Sequence, residues 1–297
     1  MRPRHDSRPP AGSPGAALHP RWWQWPTVLS LDAPAVVMAW QALLGASAGV
    51  AIGWAETLVV GASVWLAYAA DRWLEAARLP LARLRTPRHR FYADHRRAVV
   101  VAWVLVLVAD VALALRELDR RELTTGLVLL APVLLYVLSH QFLHREARGR
   151  VPKEIIVALL ITGGAAVFVL AAPGIDSAVI GPALGLLAAV CFTNVALICV
   201  WEVPVDTAHG QLSLARQFPR CRPALRALPW LLAALAWLIA SRTPGPRPGP
   251  ADCVALSSLL LALLDRAAPR LGWERVRVWA DVALLTPLWP LLLRAAR

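Results

Sequence analysis

The chain has 297 residues, 58% of them apolar, with 31 Lys and Arg against 19 Asp and Glu. Repeated apolar runs of about 18 or more residues exclude a soluble globular domain, because each is long enough to cross the roughly 30 Å hydrocarbon core of a bilayer. The surplus of +12 does not call for nucleic acid: it sits in loops, where an anionic lipid surface receives it.

Residues 1–27 carry prolines and arginines but no apolar core. They read as a disordered basic tail on the cytoplasmic side and not as a signal peptide. Trp22, Trp23 and Trp25 arrive where an interfacial aromatic belt belongs. Residues 28–297 read as one polytopic domain with nine apolar segments, at about 28–51, 54–75, 97–115, 122–143, 153–172, 177–200, 223–241, 251–268 and 275–294. These are predicted to be helices, since an isolated strand in lipid leaves its backbone unsatisfied. Most of the basic residues fall in 1–27, 76–96, 144–153, 201–222 and 266–277. The positive-inside rule then places the N-terminus in the cytoplasm and the C-terminus outside.

The second segment closes on Asp71-x-x-x-Glu75 and the sixth on Glu202-x-x-x-Asp206. Residues four apart share a helix face, so each pair sets two carboxylates side by side. Like charges that close disfavour each other's ionisation unless a cation intervenes. Mg²⁺ suits the position, accepting one or two carboxylates together with waters and phosphate oxygens. Pairing of Asp71 and Glu75 with Arg72 and Arg78 is left open by the same spacing. Pro204 ends or kinks the sixth helix, so Glu202 and Asp206 flank a break, which is tolerated at membrane depth where backbone lines a cavity.

On these residues the chain resembles the UbiA superfamily of intramembrane prenyltransferases. The family's first motif, N-D-x-x-D-x-x-x-D, falls on residues 67–75, with Asp71 and Glu75 matching its last two acids and Ala67-Tyr68 in place of Asn-Asp. Its second, roughly D-x-x-D-x-x-x-D-x-x-x-G followed by T/S-L, is matched by Glu202, Asp206, Gly210 and Ser213-Leu214, with Cys199 in place of the first Asp. Arg88-His-Arg-Phe-Tyr92, Pro152-Lys-Glu154 and residues 277–287 resemble a bacterial UbiA-like branch with shortened acidic motifs. The resemblance implies an all-α membrane protein of the bacterial cytoplasmic membrane, a bundle of about nine transmembrane helices around a cytoplasm-facing cavity. It implies Mg²⁺ held by Asp71, Glu75, Glu202 and Asp206, and a polyprenyl diphosphate gripped by Arg72, Lys153, Arg88 and Arg90. Arginine suits bidentate phosphate binding and lysine acts as a point charge; plain surface charge is the alternative for Arg88 and Arg90. The prenyl group would pass to a lipid-soluble acceptor that no residue identifies. Loss of the first acid in each motif leaves a second reading, a UbiA-fold scaffold or lipid-binding protein without chemistry. A transporter fits less well, because Pro204 has no broken-helix counterpart in the first half.

Other polar residues in the apolar segments have local readings. Asp281 follows Arg277 by four residues and is expected to pair with it. Asp32, near the cytoplasmic start of the first helix, reaches toward the same cavity; Asp110 lies on the outer half, away from it. His140 and Asn194 are expected in interhelical hydrogen bonds, and the cysteines, without C-x-x-C spacing, as reduced thiols. Gly45-Ala-Ser-Ala-Gly49 and Gly163-Gly164 allow close helix packing or leave room for a ligand.

Overall fold

The computed structural model describes residues 19–78, 86–139, 152–243 and 248–295, and among them all regular structure is helical. Each expected apolar segment falls on a helix. In chain order these are α1 (Trp25–Val28), which leads into α2 (Asp32–Ala48), then α3 (Trp54–Arg78), α5 (Arg96–Glu117), α6 (Arg120–Leu138), α7 (Lys153–Ala171), α8 (Ser177–Trp201), α11 (Arg222–Arg242), α12 (Pro250–Leu271), and α13 (Trp273–Val282) with α14 (Leu288–Ala295). Three short helices join them at one polar end: α4 (Pro87–Asp94), α9 (Val203–His209) and α10 (Leu214–Gln217).

Among the described residues, five helices (α5, α6, α7, α8 and α11) are long and apolar enough to span a membrane. Two bent pairs raise this to seven: residues 22–28 with α2 at 73°, and residues 273–285 with α14 at 41°. α3 and α12 match in length, with 25 and 22 residues. They carry more charge, including Asp71, Arg72 and Glu75 in one and Asp265, Arg266 and Arg270 in the other. Length and composition therefore support seven of the nine expected spans. His140 and the end of the fourth expected segment lie outside the described residues, as do residues 1–18 of the expected tail. Within that tail, Trp22–Gln24 form a 3-10 turn that runs into α1, and Gln24 and Thr27 are buried.

The bundle is built around α7 and α8, each with 56% of its apolar stretch buried, while α6 buries none and α5 11% of theirs. The fully buried side chains include Trp40, Leu43 and Leu44 of α2, Leu187 and Leu197 of α8, and Leu261 of α12. The Trp40 indole donates to the Leu284 carbonyl at 2.9 Å, fastening α2 to the turn after α13. In lipid, association depends on close packing rather than on apolarity alone. A Cβ at Gly163 would meet Leu129 at 2.8 Å, and one at Gly61 would meet Met38 at 2.7 Å. Gly163 thus serves helix approach, α6 against α7. Loop residues set the helix ends. Asp119 accepts from the Arg121 and Glu122 amides at 2.7 and 2.8 Å while Glu122 accepts from the Asp119 amide at 2.8 Å, a capping box that starts α6.

Candidate functional site

Helix α8 ends at Trp201 and α9 begins at Val203, so Glu202 occupies the junction. Pro204, one residue inside α9, has no N–H to continue the α8 ladder. The break turns the Glu202 carboxylate inward beneath two guanidiniums. Arg277 Nη1 of α13 donates to Glu202 Oε1 at 2.6 Å, and Arg88 Nη2 of α4 lies 3.5 Å from Oε2. All three side chains are nearly inaccessible, at 12%, 9% and 7% exposure for Arg277, Arg88 and Glu202. Burial pushes the Glu202 carboxyl up, but Arg277 and then Arg88 outweigh it and hold the group well below the usual carboxylate range. Arg88 is pushed down to about 9 by burial first, then by Arg277 and Arg72, against the pull of Glu202 and Glu75. It stays cationic at neutral pH. Arg277 was expected to pair with Asp281; its shortest contact is Glu202 instead.

The first acidic pair meets the second loop through neutral groups. His89 Nε2 lies 2.9 Å from Glu75 Oε2, and its Nδ1 lies 2.5 Å from the Thr86 hydroxyl. Burial is the largest influence on His89 and lowers it to about 4, despite the Glu75 hydrogen bond. The contact qualifies by distance as an ion pair, but at neutral pH it is a neutral imidazole donating from Nε2 to a carboxylate, with Nδ1 accepting from Thr86. The Gln211 amide nitrogen donates to the other Glu75 oxygen, and its carbonyl oxygen accepts from Lys153 Nζ at 3.3 Å. Lys153, Gln211, Glu75, His89 and Thr86 thus form one chain of contacts. It links α7, the segment after α9, α3 and α4.

Gly210, at φ +70°, ends α9 in the left-handed conformation and lets the Gln211 amide return to the Asp206 carbonyl at 2.8 Å. Arg216 Nη1 donates to the same carbonyl at 3.0 Å. Burial raises the Asp206 carboxyl against the pull of Lys153. Glu154, fully buried, accepts from the Leu214 amide at 3.0 Å and secures the start of α10.

Of the eight predicted site residues, Glu75, Glu202, Asp206, Arg88 and Lys153 converge at this end. Arg72 is within electrostatic reach of Glu75, Arg88 and Glu202. Asp71 lies within reach of Tyr136 on α6. Arg90 pairs with Asp94 at 2.8 Å on the outside of α4 and is not part of the cluster. Among the described residues, no three His, Cys, Asp or Glu side chains are grouped to hold a metal ion. Glu202 already pairs with two guanidiniums, and Glu75 is held by His89 and Gln211. As placed, the four predicted carboxylates do not form a Mg²⁺ cage; an ion would have to displace those partners. Three residues of the cluster had no predicted role in it: His89, Gln211 and Arg277. Arg277 is the most legible in hindsight, as a guanidinium within an apolar segment. A cavity of about 30 Å³ lies beside the cluster, lined by Arg88, Glu202, Arg277, Thr86, Gln24 and Trp273 among others. That volume suits water molecules rather than a diphosphate.

No protein-family model matches the sequence, and no curated protein matches it. A solved structure does: the apo structure of a UbiA homolog from Aeropyrum pernix K1 is similar with a TM-score of 0.53, over 89% of this chain and 98% of that one, at 15% identity. The chain therefore has a UbiA-like fold over nearly its whole length.

Proposed function

We propose that this integral membrane protein is a UbiA-type prenyltransferase. It takes a polyprenyl diphosphate with the diphosphate at the polar end and the prenyl chain among the helices, and passes the prenyl group to a lipid-soluble acceptor. The observation that carries this reading is the Arg88–Glu202–Arg277 cluster at the α8–α9 break of a UbiA-like fold. Arg88 Nε and Nη1 and Arg277 Nε are buried without a hydrogen-bond partner. Buried donors left unmade are costly. Diphosphate oxygens are the acceptors that a planar guanidinium fork fits best. In this reading Glu202 is the resting counterion that holds both guanidiniums in place until substrate arrives. The guanidiniums then stabilise the charge that gathers on the diphosphate as the allylic C–O bond breaks and its electron pair leaves with the phosphate. The acceptor's nucleophile forms the new bond to that carbon and gives up its proton.

The second reading, a scaffold or lipid-binding protein, is favoured by the occupied state of the two carboxylates, Glu75 hydrogen-bonded by His89 and Gln211 and Glu202 paired with Arg88 and Arg277. Binding of radiolabelled geranylgeranyl and farnesyl diphosphates to the purified protein in nanodiscs, with and without Mg²⁺, separates the two. The proposed function expects saturable binding that weakens at least tenfold in Arg277→Gln. Mg²⁺-dependent binding lost in both Asp71→Asn and Asp206→Asn would restore a metal between the acidic pairs. Absence of binding at every chain length would leave the scaffold reading.

A further inference from the structure

The α11 and α12 helices present a surface that the site above does not use. Exposed on α11 are Arg226, Trp230 and Trp237, spaced i, i+4 and i+11. Exposed on α12 are Leu259, Leu263, Arg266 and Arg270, spaced i, i+4, i+7 and i+11. Residues at such spacings form one stripe of a helix. The two stripes meet, because the Arg266 guanidinium lies over the Trp230 ring, 5.4 Å from its centroid. Arg226 Nε lies 3.9 Å from Oδ1 of Asp265, the residue before Arg266. Each stripe is therefore cationic at the same end and apolar along the bundle. At 1.5 Å per residue Trp237 lies about 10 Å beyond Trp230.

The cationic end is short of negative charge. Helix α11 contains no acid, and the second acid of α12, Asp252, accepts from the Gly249 amide at the opposite end. Asp265 is 11% exposed and faces inward, where its Oδ1 accepts from the Trp201 indole of α8 at 2.8 Å. Arg226, Arg266 and Arg270 less this one carboxylate leave two positive charges. Among the described residues, Arg266 and Arg270 meet no carboxylate and the Trp230 N–H meets no acceptor. The indoles of Trp40, Trp65, Trp103 and Trp201, by contrast, all donate within the protein. A cation held over an aromatic face is partly fixed before any ligand arrives.

A soluble anion would match the charge and leave the apolar stripes unused. A neutral lipid would do the opposite. We propose that the α11–α12 face binds one anionic phospholipid whose headgroup carries two phosphates, the diphosphatidylglycerol class. Its phosphate oxygens accept from the Arg226, Arg266 and Arg270 guanidiniums and from the Trp230 N–H, and two phosphodiester charges balance the two left over. Its acyl chains lie along Trp230, Trp237, Leu259 and Leu263. Basic clefts between membrane helices receive such headgroups in general.

Native mass spectrometry of the full chain in detergent, titrated with tetraoleoyl diphosphatidylglycerol, tests this. The expected result is one saturable adduct, with dioleoyl phosphatidylglycerol bound at least tenfold more weakly. Arg266→Gln combined with Arg270→Gln weakens the diphosphatidylglycerol adduct at least tenfold. Arg120→Gln combined with Arg121→Gln removes the same charge at the start of α6 and leaves the adduct unchanged. Undiminished binding in the Arg266 and Arg270 variant, or an equal loss in both double variants, overturns the site. Equal affinity for phosphatidylglycerol overturns the two-phosphate headgroup. Thermal unfolding gives a second reading: diphosphatidylglycerol should raise the wild-type midpoint and leave that of the Arg266 and Arg270 variant in place, and equal shifts overturn the proposal. If that variant fails to fold, Arg270→Gln alone decides, by a weakened or an unchanged adduct.

Discussion

Glu202 sits beneath two buried guanidiniums, and removing its charge leaves both uncompensated. Breaking a buried ion pair from one side costs about 3 to 5 kcal/mol. Glu202→Gln should therefore lower stability by about 3 kcal/mol, while Glu202→Gln combined with Arg277→Met should recover part of that loss. Thermal unfolding of the single and double variants in detergent reads both. His89 supplies a pH dependence. Its pKa falls from 6.5 to about 4 on folding, so the unfolded chain takes up more protons in that window. Stability is full above pH 6.5 and drops as the pH falls toward 4, by about 3 kcal/mol in all. His89→Gln keeps a side-chain N–H donor and should flatten that slope, as unfolding midpoints across pH 4 to 7 would show. At this scale the carboxylates were legible and their partners were not. Glu75, Glu202 and Asp206 stand out because acids at the ends of apolar runs need a reason. Arg277 has Asp281 one turn away in sequence, and only the tertiary fold brings Glu202, 75 residues distant, closer to its guanidinium.

Local chain chemistry decides where the polar end folds back on itself. Gly210 at φ +70° stops α9, and the return of the Gln211 amide to the Asp206 carbonyl depends on that turn. Alanine there adopts a left-handed conformation that costs about 1 to 2 kcal/mol. Gly210→Ala should lower stability by about 1 kcal/mol and speed hydrogen exchange at Gln211, because the segment that bridges Lys153 to Glu75 loses its anchor. Exchange measured by mass spectrometry over residues 203–217 checks this. Helices were the most legible elements: every expected apolar segment lies on one, since bilayer length leaves the backbone no other solution. The short α4 escaped, although its start is written in Thr86-Pro87, a cap followed by a first-turn proline. Eight residues give too little apolar periodicity to separate such a helix from a loop. The 41° bend has Pro287 at its break, a signal a sequence reader can use, whereas the 73° bend falls at residues 29–31, where Ser30 takes φ +56° and no proline or glycine marks the turn.

The whole molecule places its charge chemistry at one end, and the reading of the site depends on which side of the membrane that end faces. The cluster of Glu75, Arg88, Lys153 and Glu202 lies with the arginine-rich segments, which the positive-inside rule assigns to the cytoplasm. The opposite end carries Arg116, Arg120 and Arg121 around a short turn between α5 and α6. Two exposed arginines mark the sides: Arg90 at 44% and Arg116 at 84% side-chain exposure. Cys191, Cys199 and Cys253 are buried, so a Cys221→Ser background leaves little reactive thiol. In that background a charged, membrane-impermeant maleimide should label Arg116→Cys on intact cells. It should label Arg90→Cys only after permeabilisation. The reverse pattern would turn the guanidinium cluster outward, away from the anionic inner surface that explains the basic loops. A diphosphate supplied from the cytoplasm could not then reach Arg88 and Arg277, and the proposed transfer would lose its substrate side.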